Sequence, residues 1–366
     1  MVVPVQDPLR QYRRLQETLE RATLATFASG RWLFGPQVQS FEQAFARFCG
    51  VPTALAVGNG TDALELALLA AKAKGREVIT VANAGGYTTA ACRVIGATPV
   101  YVDIEADSLV ISIPAALAAV TAHTAAIVVT HLYGRLADVQ CLRTGLDAVG
   151  RGDVAIIEDC AQAHGAIRTG QRAGSFGNLA TFSFYPTKNL GAMGDGGAIL
   201  CRTEHDRQVL TELRQYGWRE RYNCAVPFGR NSRMDEVQAA ILLCKLPHLD
   251  DWNARRRDIV GRYRAAATAS FTGWGEDSPA SVAHLAVTRH PERDRVRQIL
   301  HDAGVGTDIH YPILDCEQIG QQGLPMVVHD LGEARRAVSE ILTLPCFPEM
   351  TDDEVTLVCD CLGRLR

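Results

Sequence analysis

One lysine stands alone in the stretch GSFGNLATFSFYPTKNLGAMGDGGAIL (174–200). No charged residue occurs from Ala173 to Thr187, and after Lys188 the next is Asp195. An ammonium among aromatic, small and glycine residues is costly to desolvate unless it is paired or neutralised. Proteins use such lysines as Schiff-base nucleophiles, because burial lowers the pKa and frees the amine. Lysine is also scarce here. Of 37 basic residues only Lys72, Lys74, Lys188 and Lys245 are lysines, and the other 33 are arginines. Lys72 and Lys74 in AAKAKGREV, and Lys245 just before Pro247, read as solvated surface charges.

Two further segments supply complementary chemistry. In AIIEDCAQAHGA (155–166) an apolar run ends in Glu158 and Asp159. Side chains alternate along a strand, so the two carboxylates face opposite ways. Ligands of parallel sheets sit beyond the carboxyl ends of the strands, where an Asp meets a ligand cation. Read alone, Asp159 serves equally as a helix N-cap. In GNGTDALELAL (58–68) a strand runs through a glycine turn into a helix starting near Thr61 or Asp62. Unpaired N–H groups at such a start attract phosphate, and Thr61 adds a hydroxyl. The same string also reads as a plain capped turn, with Asp62 and Glu65 acting much like a capping box. It matches neither a P-loop nor a G-x-G-x-x-G dinucleotide turn. Ser183, five residues before Lys188, offers another hydroxyl to a phosphate. Phosphate cradle, buried carboxylate and lone amine together fit pyridoxal 5'-phosphate. Its ring nitrogen, held protonated by a carboxylate, is the electron sink for carbanion chemistry.

The elements that must position these groups follow from the apolar pattern. Residues 8–28 read as an amphipathic helix with Leu15, Leu19, Ala22 and Phe27 on its apolar side. Residues 37–48 form another, with Val38, Phe41, Phe45 and Phe48 on one face. Short apolar runs at 53–57, 77–82, 98–104, 125–133, 154–160, 179–185 and 197–201 alternate with helical or glycine-rich connections. That is the pattern of a largely parallel sheet covered on both faces. Residues 235–265 read as one long helix, or two broken at Pro247. From about 250 the chain changes character, with LAVTRH (285–290) and GTDIHYP (306–312) in a smaller α/β unit. The expected division is a large cofactor-binding domain over 1–250, with an N-terminal helical segment, and a small C-terminal domain over 251–366.

Composition narrows the function classes. With 37 basic and 41 acidic residues, the net charge of −4 gives no general attraction to nucleic acid or anionic lipid. The 11 cysteines are scattered, and the one close pair, Cys359 and Cys361, is C-x-C without a second pair to complete a zinc set. We therefore expect no metal, and reduced thiols in a cytoplasmic protein. The opening MVVPVQDPLRQYRRLQ lacks the apolar core of a signal peptide, and no run of ~18 apolar residues is long enough to span a membrane.

The ordered motifs resemble the DegT/StrS family of pyridoxal-phosphate sugar aminotransferases, within the aspartate-aminotransferase (type I) fold group. The likeness runs from RQYRRLQETLERA and SGRWLFGPQVQSFEQAFARFCGV through GNGTDALELAL, IIEDCAQAHGA, FSFYPTKNLGAMGDGGAI and GRNSRMDEVQAA to GVGTDIHYP. It implies an α/β protein: a three-layer α/β/α large domain and a smaller C-terminal α/β domain. By matching position it makes Lys188 the Schiff-base lysine and Asp159 the pyridinium partner. It puts Gln162 near the ring hydroxyl, and Gly60, Thr61 and Ser183 on the phosphate. Asn231 would reach that phosphate from the neighbouring subunit, which implies a homodimer with shared active sites. His310 and Tyr311 sit in a loop the family places at the active site, though such a pair also suits a turn packed on the small domain. Arg219, in a polar loop over 215–230, is a candidate for the substrate phosphate or donor carboxylate.

Two departures stand out. The family's proline and following ring-stacking aromatic are missing from TVANAGGYTTAACRVIGATPV (80–100). Gly85 or its neighbour stands where the stacker belongs, and Tyr87 is the nearest aromatic, so Tyr87 is taken as the stacker. After HYP the chain reads ILDCEQ, with Cys316 where the family commonly has histidine. The resemblance implies ping-pong transamination from an amino donor, L-glutamate, to a keto group of a nucleotide-linked deoxysugar. FSFYPTKNLGA favours C3 of a dTDP-linked sugar by resemblance. Amination at C4, or of a cyclitol ketone, is the nearest alternative. A non-catalytic regulatory protein on the same scaffold and a nicotinamide oxidoreductase are the rivals from other classes.

Overall fold

The computed structural model describes residues 2–365. Ten strands matter for the site: β1 (Thr53–Val57), β2 (Glu77–Val81), β3 (Thr98–Val102), β4 (Thr124–Thr130), β5 (Ala155–Asp159), β6 (Leu179–Ser183), β7 (Gly197–Cys201), β8 (Ala286–Arg289), β9 (Val327–Val328) and β10 (Ile341–Leu344). Eight of them form one sheet in the order β1-β7-β6-β5-β4-β2-β3-β9. β7 runs antiparallel to both its neighbours, and the other pairings are parallel.

The sheet is buried on both faces because its strands are apolar at nearly every position. Alternation then sorts the side chains. Val78, Ala126, Val128, Ile157 and Ile199 pack with residues of the helices Gly60–Ala70, Tyr87–Ile95 and Glu204–Leu213. Ile79, Ile127, Val129 and Ile156 cluster with residues of Val139–Ala148 and Gly332–Glu340. At the β1 end, Ala54, Ala56, Phe182 and Leu200 meet Phe41 and Phe45 of the helix Pro36–Cys49 and Leu242 of Glu236–Lys245. This is the α/β/α layering expected from the sequence. The C-terminal residues build a fourth cluster around the antiparallel pair β8–β10, with Ile259, Tyr263, Leu300 and Val358. Val3 joins that cluster and bridges to Val305, so the first residues pack on C-terminal elements.

Several expectations need adjusting. The helix Pro8–Ala28 buries Leu19 and Thr26 fully, while Phe27 stays 55% exposed. The helical stretch after 235 is two helices, Glu236–Lys245 and Leu249–Ala266, joined by a 3-10 turn containing Pro247. The polar loop at 215–230 contains a small ribbon, Trp218–Glu220 against Asn223–Cys224. Among the described residues no helix is long and apolar enough to cross a membrane.

The helix Pro36–Cys49 has no side-chain cap of its own. The buried carboxylate of Glu236 accepts from the backbone N–H of Gly35 (2.8 Å), Gln37 (2.8 Å) and Val38 (2.9 Å) instead. A carboxylate at a helix N-terminus satisfies unpaired donors and opposes their partial charge. Removing it strands buried N–H groups, so Glu236→Ala should lose about 3 kcal/mol of stability. Urea denaturation at fixed protein concentration measures this; a loss below about 0.5 kcal/mol, the size of an ordinary surface substitution, would contradict it.

Candidate active site

The carboxyl ends of β4, β5 and β6 and the N-terminus of the helix Gly60–Ala70 converge on a cavity of about 870 Å³. Asp159 ends β5, and its side chain lines this cavity. Glu158, one residue earlier, points the other way, as strand alternation requires. Its carboxylate accepts from the backbone N–H of Gly174, Phe176 and Gly177 at 2.7–3.0 Å and meets Nε2 of His131 at 2.9 Å. Cys160 lies nearby, 3.9 Å from the same carboxylate. His131, Glu158 and Cys160 form the one tight group of potential metal ligands among the described residues. Glu158 is already engaged by three amides and an imidazole, so the group reads as a structural anchor for β5.

No helix follows Asp159, which overturns the N-cap alternative. One of its oxygens accepts from Ala161 N–H (3.1 Å). Burial pushes its carboxyl up, opposed by that amide and by Lys188. Lys188 lines the same cavity, and its own N–H donates to the carbonyl of Tyr185 (2.8 Å) in a tight turn after β6. Burial pulls its amine down to about 8, with Asp159 opposing. Neither the pull of the apolar walls nor the carboxylate alone sets this amine: the first favours the free base and the second the ammonium.

The turn that carries Lys188 is tied from several sides. Asn189 donates to Asn253 Oδ1 (2.8 Å) and to the carbonyl of Val282 (3.1 Å), and its Oδ1 meets Nδ1 of His284 at 2.9 Å. Lys245 donates to the carbonyl of Gly191 (2.8 Å). Lys245 is 5% exposed and burial pulls it down to about 8, so the surface role expected from the sequence is wrong. It braces the Lys188 turn from behind. Lys72 and Lys74 are exposed, as expected.

At the opposite end of the cavity the helix Gly60–Ala70 approaches Ser183. A Cβ at Gly60 would lie 2.6 Å from that of Ser183, so only glycine allows the approach. Gly60, Thr61 and Ser183 all line the cavity. The helix cap is Asn59, whose side chain accepts from Asp62 N–H (2.8 Å). Asp62 and Glu65 do not form the expected capping box; both pair with Arg230. Gln162 also lines the cavity. Its oxygen accepts from Tyr133 N–H (2.5 Å), and its amide donates to the hydroxyl of Tyr311 (3.2 Å). A buried acid, an amine poised for deprotonation and a helix N-terminus opened by glycine suit an anionic ring bearing a basic nitrogen and an aldehyde. The residues present fit pyridoxal 5'-phosphate.

The family comparison agrees with the geometry: the DegT/DnrJ/EryC1/StrS aminotransferase family matches residues 13–363. The chain belongs to that family. It is a pyridoxal-phosphate-dependent aminotransferase. It is 38% identical over 361 residues, covering 96% of each chain, to a dTDP-3-amino-3,4,6-trideoxy-alpha-D-glucose transaminase of Micromonospora megalomicea subsp. nigra. It is 36% identical over 366 residues, covering 98% of this chain and 97% of the relative, to a pleiotropic regulatory protein of Geobacillus stearothermophilus. Among solved structures, S. venezuelae DesV in complex with a ketimine intermediate superposes with a TM-score of 0.93 at 35% identity, covering 99% and 98% of the two chains. The type I fold expected from the sequence is thereby shared with solved sugar aminotransferases.

The remaining candidates of this aminotransferase fall in two groups. His310, Tyr311 and Tyr87 line the cavity. Nδ1 of His310 lies 2.9 Å from Thr343 Oγ1, and burial pulls its imidazole down against the opposing charge of Asp308. Arg219 and Asn231 are not in this chain's cavity. Arg219 is exposed on the 218–220 strand and pairs with Glu212 (2.8 Å), and Asn231 is exposed in a bridge to Gln215. The sequence reading missed His284. It is buried beside the cavity and held neutral by burial and by the nearby Lys188 charge. It stands just ahead of β8, about a hundred residues from Lys188, and no local spacing announces it.

The depressed amine sets a pH dependence. The rate at which the cofactor-free protein takes up pyridoxal phosphate should rise with pH and reach half its plateau near pH 8, where Lys188 loses its proton. Stopped-flow absorbance follows the visible band; a midpoint above about pH 10, that of an ordinary lysine, would contradict it.

Proposed function

We propose that this aminotransferase moves an amino group from L-glutamate to C3 of a dTDP-linked keto-deoxysugar. The observation that carries this reading is the convergence of Lys188, Asp159 and the glycine-opened helix N-terminus in one cavity. The sugar and carbon rest on the relative from Micromonospora megalomicea subsp. nigra, whose name specifies a dTDP-linked 3-amino sugar.

Bound pyridoxal phosphate supplies an electrophilic carbon and an electron-withdrawing ring. The chain's residues do the rest. Asp159, buried at the carboxyl end of β5, would pair with the protonated ring nitrogen. Gly60, Thr61 and Ser183 bind the phosphate, with the helix dipole behind them. Gln162 reaches the ring hydroxyl. Lys188 would take up and return a proton at Nζ, for which an amine pulled down to about 8 is suited. His310 and Tyr311 contact the sugar. Asn231 of the partner subunit completes the phosphate site, and Arg219 meets an anionic group of substrate, in a homodimer with shared active sites. We assign residues 1–250 to the cofactor domain and 251–366 to the small domain. Eleven free cysteines support a reducing, cytoplasmic setting.

A purely regulatory role is the second reading, favoured by the name of the Geobacillus stearothermophilus relative. An amine tuned by burial and faced by a buried carboxylate argues for catalysis. Lys188→Arg should abolish turnover while the protein stays folded. Wild-type turnover with glutamate should give a product whose amine-bearing carbon is C3 by NMR. Normal turnover by Lys188→Arg would overturn the assignment of Lys188, and an amine at C4 would overturn the regiochemistry.

A further inference from the structure

Gly85 and Gly86 precede the helix Tyr87–Ile95, each with φ of 85°. At Gly85 the backbone demands glycine and so does the space. A Cβ there would lie 2.9 Å from Cε1 and Cζ of Tyr311 and 3.0 Å from its Cδ1. The phenol ring rests directly on the Gly85 backbone and occupies the volume that a side chain at 85 would fill. Tyr87 meets this ring only edge-on, with centroids 6.1 Å apart and planes at 76°, and is itself 47% exposed.

Tyr311 is held in that place by bonds at both ends of its loop. Its hydroxyl accepts from Gln162, as described above. The Tyr133 hydroxyl donates to the carbonyl of His310 (2.5 Å). On the far side the backbone N–H of Asp315 donates to the carbonyl of Ala82 (2.7 Å), and its buried carboxylate accepts from the Thr89 hydroxyl (3.4 Å). Segments 82–86 and 310–315 are thus joined by that backbone bond and by the packing of Tyr311 on Gly85. The result is a half-buried aromatic face in the cavity that also holds Asp159, Lys188 and Gln162.

We propose that Tyr311 is the residue that stacks on the cofactor ring, and that Gly85 is glycine in order to admit it. This replaces Tyr87 in that role, adds to the sugar contact proposed for Tyr311, and rests on the pyridoxal-phosphate reading of the cavity. A protonated pyridine ring is flat and electron-poor, and gains from a tyrosine face both by stacking and by cation–π attraction.

The test compares wild type with Tyr311→Leu, Tyr311→Phe, Tyr87→Leu and Lys188→Ala. The readouts are the dissociation constant for pyridoxal phosphate and the absorbance and circular dichroism of the visible band. Tyr311→Leu should weaken binding about tenfold and change both position and dichroism of the band. Tyr311→Phe keeps the face and should bind within about threefold of wild type, as should Tyr87→Leu. Tyr311→Met, which packs adaptably, takes the place of the Leu variant if that one does not fold. Wild-type affinity and band in Tyr311→Leu overturn the proposal, as does a tenfold loss in Tyr87→Leu alone. If wild type shows no visible band that Lys188→Ala removes, the cofactor reading itself fails. If the band depends on Lys188 and ignores Tyr311, only the stacking assignment fails.

Discussion

The structure is organised around one buried ionic relation, the Lys188 amine opposite the Asp159 carboxylate. Each alone would be costly in that setting, and each moderates the other. Burial pulls the amine down to about 8 while the carboxylate holds it from falling further. A lysine in water would be an inert ammonium at neutral pH, and one buried without a partner would be too weak a base to return a proton. The compromise between desolvation and attraction is what suits a single amine to the proposed roles of nucleophile, acid and base.

Maintaining that relation requires two rigid supports. Asp159 is held through its strand neighbour: Glu158 collects three amides and His131 on the opposite face and locks the end of β5. Lys188 is held through its turn, with Asn189 bonded to Asn253 and His284, and Lys245 bonded to Gly191. The second set comes from the helices Glu236–Lys245 and Leu249–Ala266 and from the segment just ahead of β8, so later parts of the chain hold the turn that carries the amine. Phe41, Phe45, Phe182 and Phe184 pack edge to face in the same apolar cluster as Leu190 and Ala192 of that turn.

Local features of the sequence revealed much of this. Lys188 was legible because its flanks carry no charge, and Asp159 because an apolar run stops at a carboxylate pair. The strands were legible from continuous apolar runs, with ends that shifted by a few residues. What stayed hidden depends on contacts between distant segments. Lys245 looks like a surface lysine on a helix end, and only the Gly191 carbonyl buries it. Asp62 and Glu65 fit a capping box until Arg230 arrives from the other side of the fold. Tyr87 is nearest in sequence to the missing aromatic, yet Tyr311 occupies the place beside Gly85. Asn231 and Arg219 lie outside this chain's cavity, and their roles belong to the homodimer we propose.

Borohydride reduction of the cofactor-loaded protein, followed by peptide mapping, tests the central claim most directly. Reduction fixes the cofactor to the amine that holds it. Desolvation pulls both the half-buried Lys188 and the buried Lys245 down to about 8, yet only Lys188 lines the cavity with Asp159. The account predicts a pyridoxyl label on the peptide containing Lys188 and none on that containing Lys245. A label on Lys245, or label spread over the exposed Lys72 and Lys74, would contradict it.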